Sequence, residues 1–121
     1  MKIVLYIIPF IMLSCNSKKI AQITFDVSEI NFKIKKGGSI IAKYTFINTG
    51  NASLKLISAN GDCNCTQIKF PKTPIAPNSK GEISVTYNSA KDTIGSVSRA
   101  ILVETNTTPI LNTLFLKGII E

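Results

Sequence analysis

Histidine and tryptophan are missing from this chain, and its two methionines, Met1 and Met12, both fall in the first twelve residues. Without histidine, the Ser–His and Cys–His pairs that activate many hydrolytic nucleophiles cannot be built. The commonest metal ligand is gone as well. Acidic side chains are scarce, seven against fourteen Lys plus Arg. Asp26, Glu29, Asp62, Glu82, Asp92, Glu104 and Glu121 show no spacing that would read as a glycosidase pair. Glu82 and Glu104 read as solvent-facing strand residues. Gly37-Gly38 is too little glycine for a phosphate loop. There is no internal repeat and no low-complexity tract. The expectation is a protein that is not an enzyme and carries no cofactor.

No apolar run is long enough to span a membrane. The longest, residues 3–13, has eleven residues. At ~1.5 Å per residue it covers about 17 Å of a ~30 Å hydrocarbon core. That length, behind the basic Met1-Lys2, fits the apolar region of a signal peptide. The segment ends in Met12-Leu13-Ser14-Cys15, which resembles a bacterial lipobox, and polar Asn16-Ser17-Lys18-Lys19 follows. Residues 1–14 are therefore expected to be a cleaved signal peptide. Cys15 is expected to carry the lipid, with residues 15–21 as the tether. Several acyl chains at about 0.8 kcal/mol per buried CH₂ would hold the protein to the membrane. Lys18-Lys19 gives no acidic surface-export signal, which points to a periplasm-facing anchor in the outer membrane.

Beyond residue 14 the chain has 107 residues, room for one domain, with thirteen basic and seven acidic side chains, a balance of +6. Such a surface favours anionic partners such as lipid head groups or acidic glycans. The lysines are scattered, and only Lys33, Lys35 and Lys36 cluster, without interleaved aromatics. Nucleic acid is therefore not an expected partner, and the cluster reads as a solvated strand face.

Period-2 alternation dominates residues 22–121. Ile23, Phe25 and Val27 form one run, and Ile30, Phe32 and Ile34 the next. Ile40, Ala42, Tyr44 and Phe46 follow, and Asn48-Thr49-Gly50-Asn51 ends that strand as a turn. Leu54 and Leu56 begin a partner strand, so the two runs read as a hairpin. Residues 71–77 hold three prolines and belong on an edge or in a loop. Ile83, Val85 and Tyr87 alternate again, as do Val97, Ile101 and Val103, and Leu114, Leu116 and Ile120 close the domain. About seven short strands without helical periodicity predict an all-β, immunoglobulin-like antiparallel β-sandwich.

The ordered landmarks are Phe46-Ile47-Asn48-Thr49-Gly50-Asn51, Leu54-Lys55-Leu56, Cys63-Asn64-Cys65-Thr66, Pro74-Ile75-Ala76-Pro77 and Gly81-Glu82-Ile83-Ser84-Val85-Thr86-Tyr87. Gly95-Ser96-Val97, Val103-Glu104-Thr105-Asn106 and Leu114-Phe115-Leu116-Lys117-Gly118 complete them. Over about residues 25–120 this set resembles the bacterial domain of unknown function 1573 family, common in exported proteins of Bacteroidetes-like bacteria. The resemblance implies an immunoglobulin-like sandwich akin to the major-sperm-protein-like and ciliary modules. It implies no activity. Where that family usually has glycine, this chain has Asn64 between the cysteines and Asn78 after Pro77. Asparagine is the next most permissive residue for positive φ, so the backbone is expected to survive both changes.

Cys63 and Cys65 are the reactive side chains placed close together. With Cys15 lipidated they are the two remaining thiols. An even count in an oxidising compartment permits a disulfide. In an extended strand their Cα atoms would lie about 6.6–6.8 Å apart, the upper limit for the bond, so it requires a kink that Asn64 could supply. Three readings stay open. The cysteines are structural, packed or bonded to each other. Or they exchange thiols, although the common redox motif is CxxC opening a helix. Or they bind a soft metal such as Cu(I); a zinc site would lack ligands, since only Asp62 is nearby.

Asp62, Asn64 and Thr66 mark residues 60–66 as an interaction loop, with residues 71–77 as a second contact surface. Asp92-Thr93-Ile94 resembles a short O-glycosylation motif, and its plainer reading is a turn acid before Gly95. The expected function is a non-catalytic, lipid-anchored envelope module that binds an envelope protein or glycan. The alternative is thiol redox or Cu(I) handling through Cys63 and Cys65.

Overall fold

A computed structural model describes residues 3–4 and 18–121. The expected signal peptide and the lipidation site at Cys15 therefore lie almost wholly outside the described residues. No helix among the described residues is long and apolar enough to cross a membrane.

Eight strands form among the described residues: β1 (Ile23–Phe25), β2 (Glu29–Ile34), β3 (Ser39–Asn48), β4 (Leu56–Gly61), β5 (Thr66–Lys69), β6 (Lys80–Asn88), β7 (Gly95–Thr105) and β8 (Leu111–Ile120). A 3-10 turn at Ser89–Lys91 is the one helical element among the described residues. Asn88 caps it, its side chain accepting from the Ala90 N–H. The strands build two four-stranded sheets, β1-β3-β6-β5 and β2-β8-β7-β4. The predicted sandwich is what the chain adopts, with one strand more than expected. Every strand pair is antiparallel except β2 with β8, which run parallel from Glu29↔Phe115 to Ile34↔Ile120.

The inward-facing alternate residues make the core. Tyr44, Ile83, Val85 and Tyr87 from one sheet meet Ile101, Val103, Leu114 and Leu116 from the other, all fully buried. Each such side chain contributes roughly 1.5–3 kcal/mol by leaving water. The Tyr44 hydroxyl crosses between the sheets and donates to the Phe115 carbonyl at 2.7 Å. The opposite parity carries the solvent-facing lysines, Lys33 and Lys35 among them, as the alternation predicted. Glu82 is exposed as expected, whereas Glu104 is half-buried and accepts from the Ser58 hydroxyl.

Two expectations need correction. Val27 does not extend β1: it is 45% exposed, in the three-residue crossover that carries the chain from one sheet to the other. The predicted hairpin of residues 40–46 with 54–56 does not form, because β3 and β4 lie in different sheets. The reason is Asn48, which is fully buried rather than a surface turn residue. Its amide donates to the Ala52 and Ile75 carbonyls, and its Oδ1 accepts from the Gly50 N–H at 3.0 Å. This knot anchors the 49–55 connection, whose Leu54 is buried while Thr49, Asn51, Ser53 and Lys55 stay exposed. Leu54 there bridges Ile75, and β4 pairs with β7. Gly50 permits the packing, since a Cβ would collide with the Ile20 carbonyl and the Gln22 N–H.

Candidate functional site

β4 ends at Gly61 and β5 begins at Thr66, so residues 62–65 pass from one sheet to the other at the end of the sandwich. Cys63 and Cys65 are joined here by a disulfide, with their Cα atoms 5.1 Å apart. That is well inside the extended-strand spacing, so the required kink is present. It is a turn: the Thr66 N–H and hydroxyl both donate to the Cys63 carbonyl, at 3.4 and 3.1 Å. Asn64 occupies the turn without adopting positive φ; among the non-glycine described residues Asn78 has it, at φ 66°. The glycine-like backbone expected at Asn78 is therefore observed.

The two sulfurs sit in different surroundings. Cys63 is half-buried, whereas Cys65 is 2% exposed. The Cys65 N–H points at the Cys63 sulfur, 3.1 Å away. The Cys65 sulfur instead lies 3.8 Å from Oδ2 of Asp92. As half of a disulfide it has no hydrogen to donate, so this is a contact between a sulfur and a carboxylate.

Asp92 is not the surface turn acid expected from the sequence. Its side chain is 2% exposed, and Arg99 grips both carboxylate oxygens: Nε to Oδ2 at 2.8 Å, and Nη2 to Oδ1. The Tyr87 hydroxyl donates to Oδ2 at 2.6 Å and the Thr93 N–H to Oδ1 at 2.9 Å. The Lys36 ammonium reaches the Asp92 backbone carbonyl. The Arg99 guanidinium holds the carboxyl well below the usual carboxylate range, with help from Tyr87 and Thr93 and against the effect of burial. Asp92 in turn raises Arg99. Burial first, then Asp92, pushes Tyr87 far above the ordinary tyrosine range.

Four donors occupy the roughly four lone-pair positions that a carboxylate offers. The sulfurs of Cys63 and Cys65 and a carboxylate oxygen of Asp92 all lie within 4.8 Å of one another. On spacing alone they could hold a metal, but Asp92 has no lone pair left to give. Asp62, the acid expected near the sulfurs, is tied elsewhere: it is exposed, and its Oδ2 accepts from the Ala100 N–H at 3.1 Å. Asn64 is exposed and Thr66 is half-buried against the Cys63 carbonyl.

Arg99, Tyr87 and Asp92 are the members of this cluster that the sequence reading did not place together. The signal was present in β7. Val97, Ile101 and Val103 share one parity, and Arg99 has the same parity. A cation on the buried face of a strand demands a buried acid.

The Pro-rich segment continues from β5. The Lys72 ammonium stands 3.4 Å above the Phe70 ring, and Ile75 is held to Leu54 by paired backbone hydrogen bonds. Residues 60–77 thus form one continuous flank: loop, outer strand β5 and proline loop.

No curated protein sequence matches the chain significantly. Solved structures share its fold. A protein of unknown function from Porphyromonas gingivalis W83 superposes with a TM-score of 0.74 at 14% identity, covering 88% of this chain and 50% of that one. The chain thus spans about half the length of that relative. The PapD-like domain 7 of human CEP192 gives 0.68 at 10% identity, over 100% of this chain and 96% of that one. The periplasmic chaperone SfaE gives 0.57 at 8% identity, over 83% and 56%. At these identities the likeness shows an immunoglobulin-like, PapD-like fold. Residues 23–120 match the family described as protein of unknown function (DUF1573), and the chain belongs to that family.

Proposed function

We propose that this protein is a non-catalytic binding module of the cell envelope, lipid-anchored through Cys15 on the periplasmic side of the outer membrane, that docks an envelope protein or glycan along residues 60–77. The observation that carries this reading is the continuous flank itself. β5 is the outer strand of its sheet, and Asp62, Asn64, Gln67, Lys69, Lys72 and Pro74 are exposed along it. Outer strands offer backbone hydrogen bonds to an added segment, and loops on a rigid sandwich commonly carry recognition. The PapD-like relatives include a periplasmic chaperone, consistent with a fold able to present such an edge in that compartment.

Two experiments test the reading. Full-length protein and a Lys69→Glu/Lys72→Glu variant are used to capture partners from envelope extracts. A partner retained by the first and lost by the second supports docking on this flank. Identical capture by both removes the flank from consideration. For the anchor, Cys15→Ser releases the protein into the soluble fraction; continued membrane attachment sinks it.

A second reading is thiol redox or Cu(I) handling through Cys63 and Cys65. The saturated Asp92 carboxylate favours thiol exchange over metal binding, because a metal would find only two sulfurs, and those after reduction.

A further inference from the structure

We propose that the Cys63–Cys65 disulfide is a thiol-exchange site with a fixed polarity: Cys63 takes the covalent bond to an incoming thiol, and Cys65 is the interior sulfur that leaves and returns. This rests on the second reading above and is independent of the docking reading.

Access decides which sulfur is attacked. Exchange requires a thiolate to approach one sulfur in line with the bond that breaks. Cys65 is 2% exposed, packed in the core cluster and backed by Asp92. Cys63 is half-buried at the head of the loop, so an external thiolate meets Cys63 first. The bond closes a loop of only three residues, so little chain entropy resists its opening. The strands on both sides of the loop are held by their own pairings, β4 with β7 and β5 with β6.

Electrostatics give the same polarity for the reduced protein attacking an external disulfide. In the forward direction access alone sets it, since the carboxylate beside Cys65 makes that sulfur the poorer leaving group. In the reduced protein one sulfur is the better thiolate. The Cys65 N–H directed at the Cys63 sulfur stabilises negative charge there. The Cys65 sulfur faces a carboxylate that stays ionised, which disfavours a second negative charge 3.8 Å away. The contacts thus favour Cys63 over Cys65 as the attacking sulfur. Lys91 lines a depression of about 140 Å³ beside the loop with Asn64, Cys65 and Gln67. A cation there draws anionic thiol substrates to the loop and sets no preference for Cys63.

The steps balance. A thiolate RS⁻ attacks the Cys63 sulfur, the RS–Cys63 bond forms, and the Cys63–Cys65 bond breaks. Cys65 departs with the electron pair and takes a proton from water, which replaces the one lost by RSH. A second thiolate R′S⁻ attacks the R sulfur and releases RS–SR′ and the Cys63 thiolate. The protein disulfide is reduced by two electrons, and two thiols are oxidised to one disulfide. In reverse, the Cys63 thiolate attacks an external disulfide, and Cys65 then displaces the bound thiol.

The shared substrate chemistry is a thiol, either of low molecular weight or a cysteine of a polypeptide. The test uses the full chain carrying Cys15→Ser, so that only sulfurs 63 and 65 can respond. The folded, oxidised protein is incubated with glutathione or with a short peptide bearing one cysteine. The mixture is acid-quenched, and the mixed disulfide is located by peptide mass mapping. The adduct is expected on Cys63 with both probes, and the faster probe identifies the source of the thiol. An adduct on Cys65 overturns the polarity and leaves exchange standing. No adduct from the folded protein, with ready adduct formation in denaturant, overturns exchange itself. Single-sulfur variants give an independent rate. Among chains that keep the folded near-UV spectrum, Cys63 in Cys65→Ser should alkylate about tenfold or more faster than Cys65 in Cys63→Ser. Equal rates overturn the proposal, and the mapping on unsubstituted sulfurs decides it where a variant does not fold.

Discussion

Asp92→Asn tests the buried frame under the disulfide, because it removes a charge and keeps the shape. Asp92 and Arg99 have side chains 2% and 28% exposed. Removing one member of a buried ion pair costs about 3–5 kcal/mol, since the survivor is left without its partner. In Asp92→Asn the survivor is Arg99, which still touches water, so the cost belongs at the low end, about 3 kcal/mol. Arg99→Met strands the carboxylate in the interior and belongs at the high end, about 5 kcal/mol. The double variant leaves no buried charge and should cost less than the sum, with a coupling of about 2–3 kcal/mol. Urea unfolding of the full chain reads these values as midpoint shifts of about 1–5 M at unchanged slope, for a slope of about 1–3 kcal/mol/M. Acid gives a second reading. The Asp92 carboxyl is held below its ordinary range by Arg99, so the folded state binds fewer protons than the unfolded chain. Its contribution is complete above the unfolded pKa of about 3.9 and drains as pH falls below that toward the folded value. Asp92→Asn should lose this part of the acid slope. A cost under about 1 kcal/mol with the acid slope intact would falsify the claim that the pair holds this end of the sandwich.

Other perturbations follow from single contacts. Asn48→Ala strips the bonds to Ala52, Ile75 and Gly50 and should cost about 2–3 kcal/mol in thermal unfolding; a loss under about 1 kcal/mol would mean that water substitutes for the amide. In the form lacking residues 1–14 both tyrosines are buried, with Tyr44 pushed up to about 12 by burial and then by Glu29, and Tyr87 higher still. The stability from these raised values is complete below the unfolded pKa of about 10 and is lost as pH rises through the folded values. Tyrosinate absorbance should therefore appear only as the chain unfolds, and a native-state midpoint near pH 10 contradicts this packing. Reduction of the Cys63–Cys65 bond should lower stability by no more than about 1.6 kcal/mol, the chain-entropy value for a three-residue loop. A larger loss in the urea midpoint would make the disulfide a staple after all.

The strands were legible because each buries one face, and period-2 alternation records that directly. The inward sets Tyr44-Phe46, Ile83-Val85-Tyr87 and Leu114-Leu116 fall where alternation put them. Asn78 and Asn64 both read as glycine substitutes through the family resemblance, and positive φ is found at Asn78 and not at Asn64. Pairing was not legible. Nothing local in residues 46–56 distinguishes a surface hairpin from a crossover. The difference lies in whether the Asn48 amide finds carbonyls at Ala52 and Ile75, and Ile75 is 27 residues away. The parallel pairing of β2 with β8 is equally non-local, since it joins the second strand of the chain to the last.

The candidate site divides along the same line. The Cys63–Cys65 pair and its need for a kink come from two neighbouring residues and could be argued from spacing. Asp92 follows the 3-10 turn beyond β6, and in sequence its neighbours Thr93 and Gly95 belong to an ordinary turn. What fixes its role is the parity of Arg99, seven residues on, in an inward row of β7. A guanidinium there has to meet a carboxylate or leave the interior, and Asp92 is the acid it meets. Tyr87 and Thr93 then fill the lone pairs that Arg99 leaves, and the carboxylate has nothing left for a metal. The same saturation keeps Asp92 ionised beside one sulfur of the disulfide while a backbone N–H supports the other. The asymmetry of the two cysteines therefore originates outside their loop, in a salt bridge whose members could be recognised only by counting inward positions along a strand.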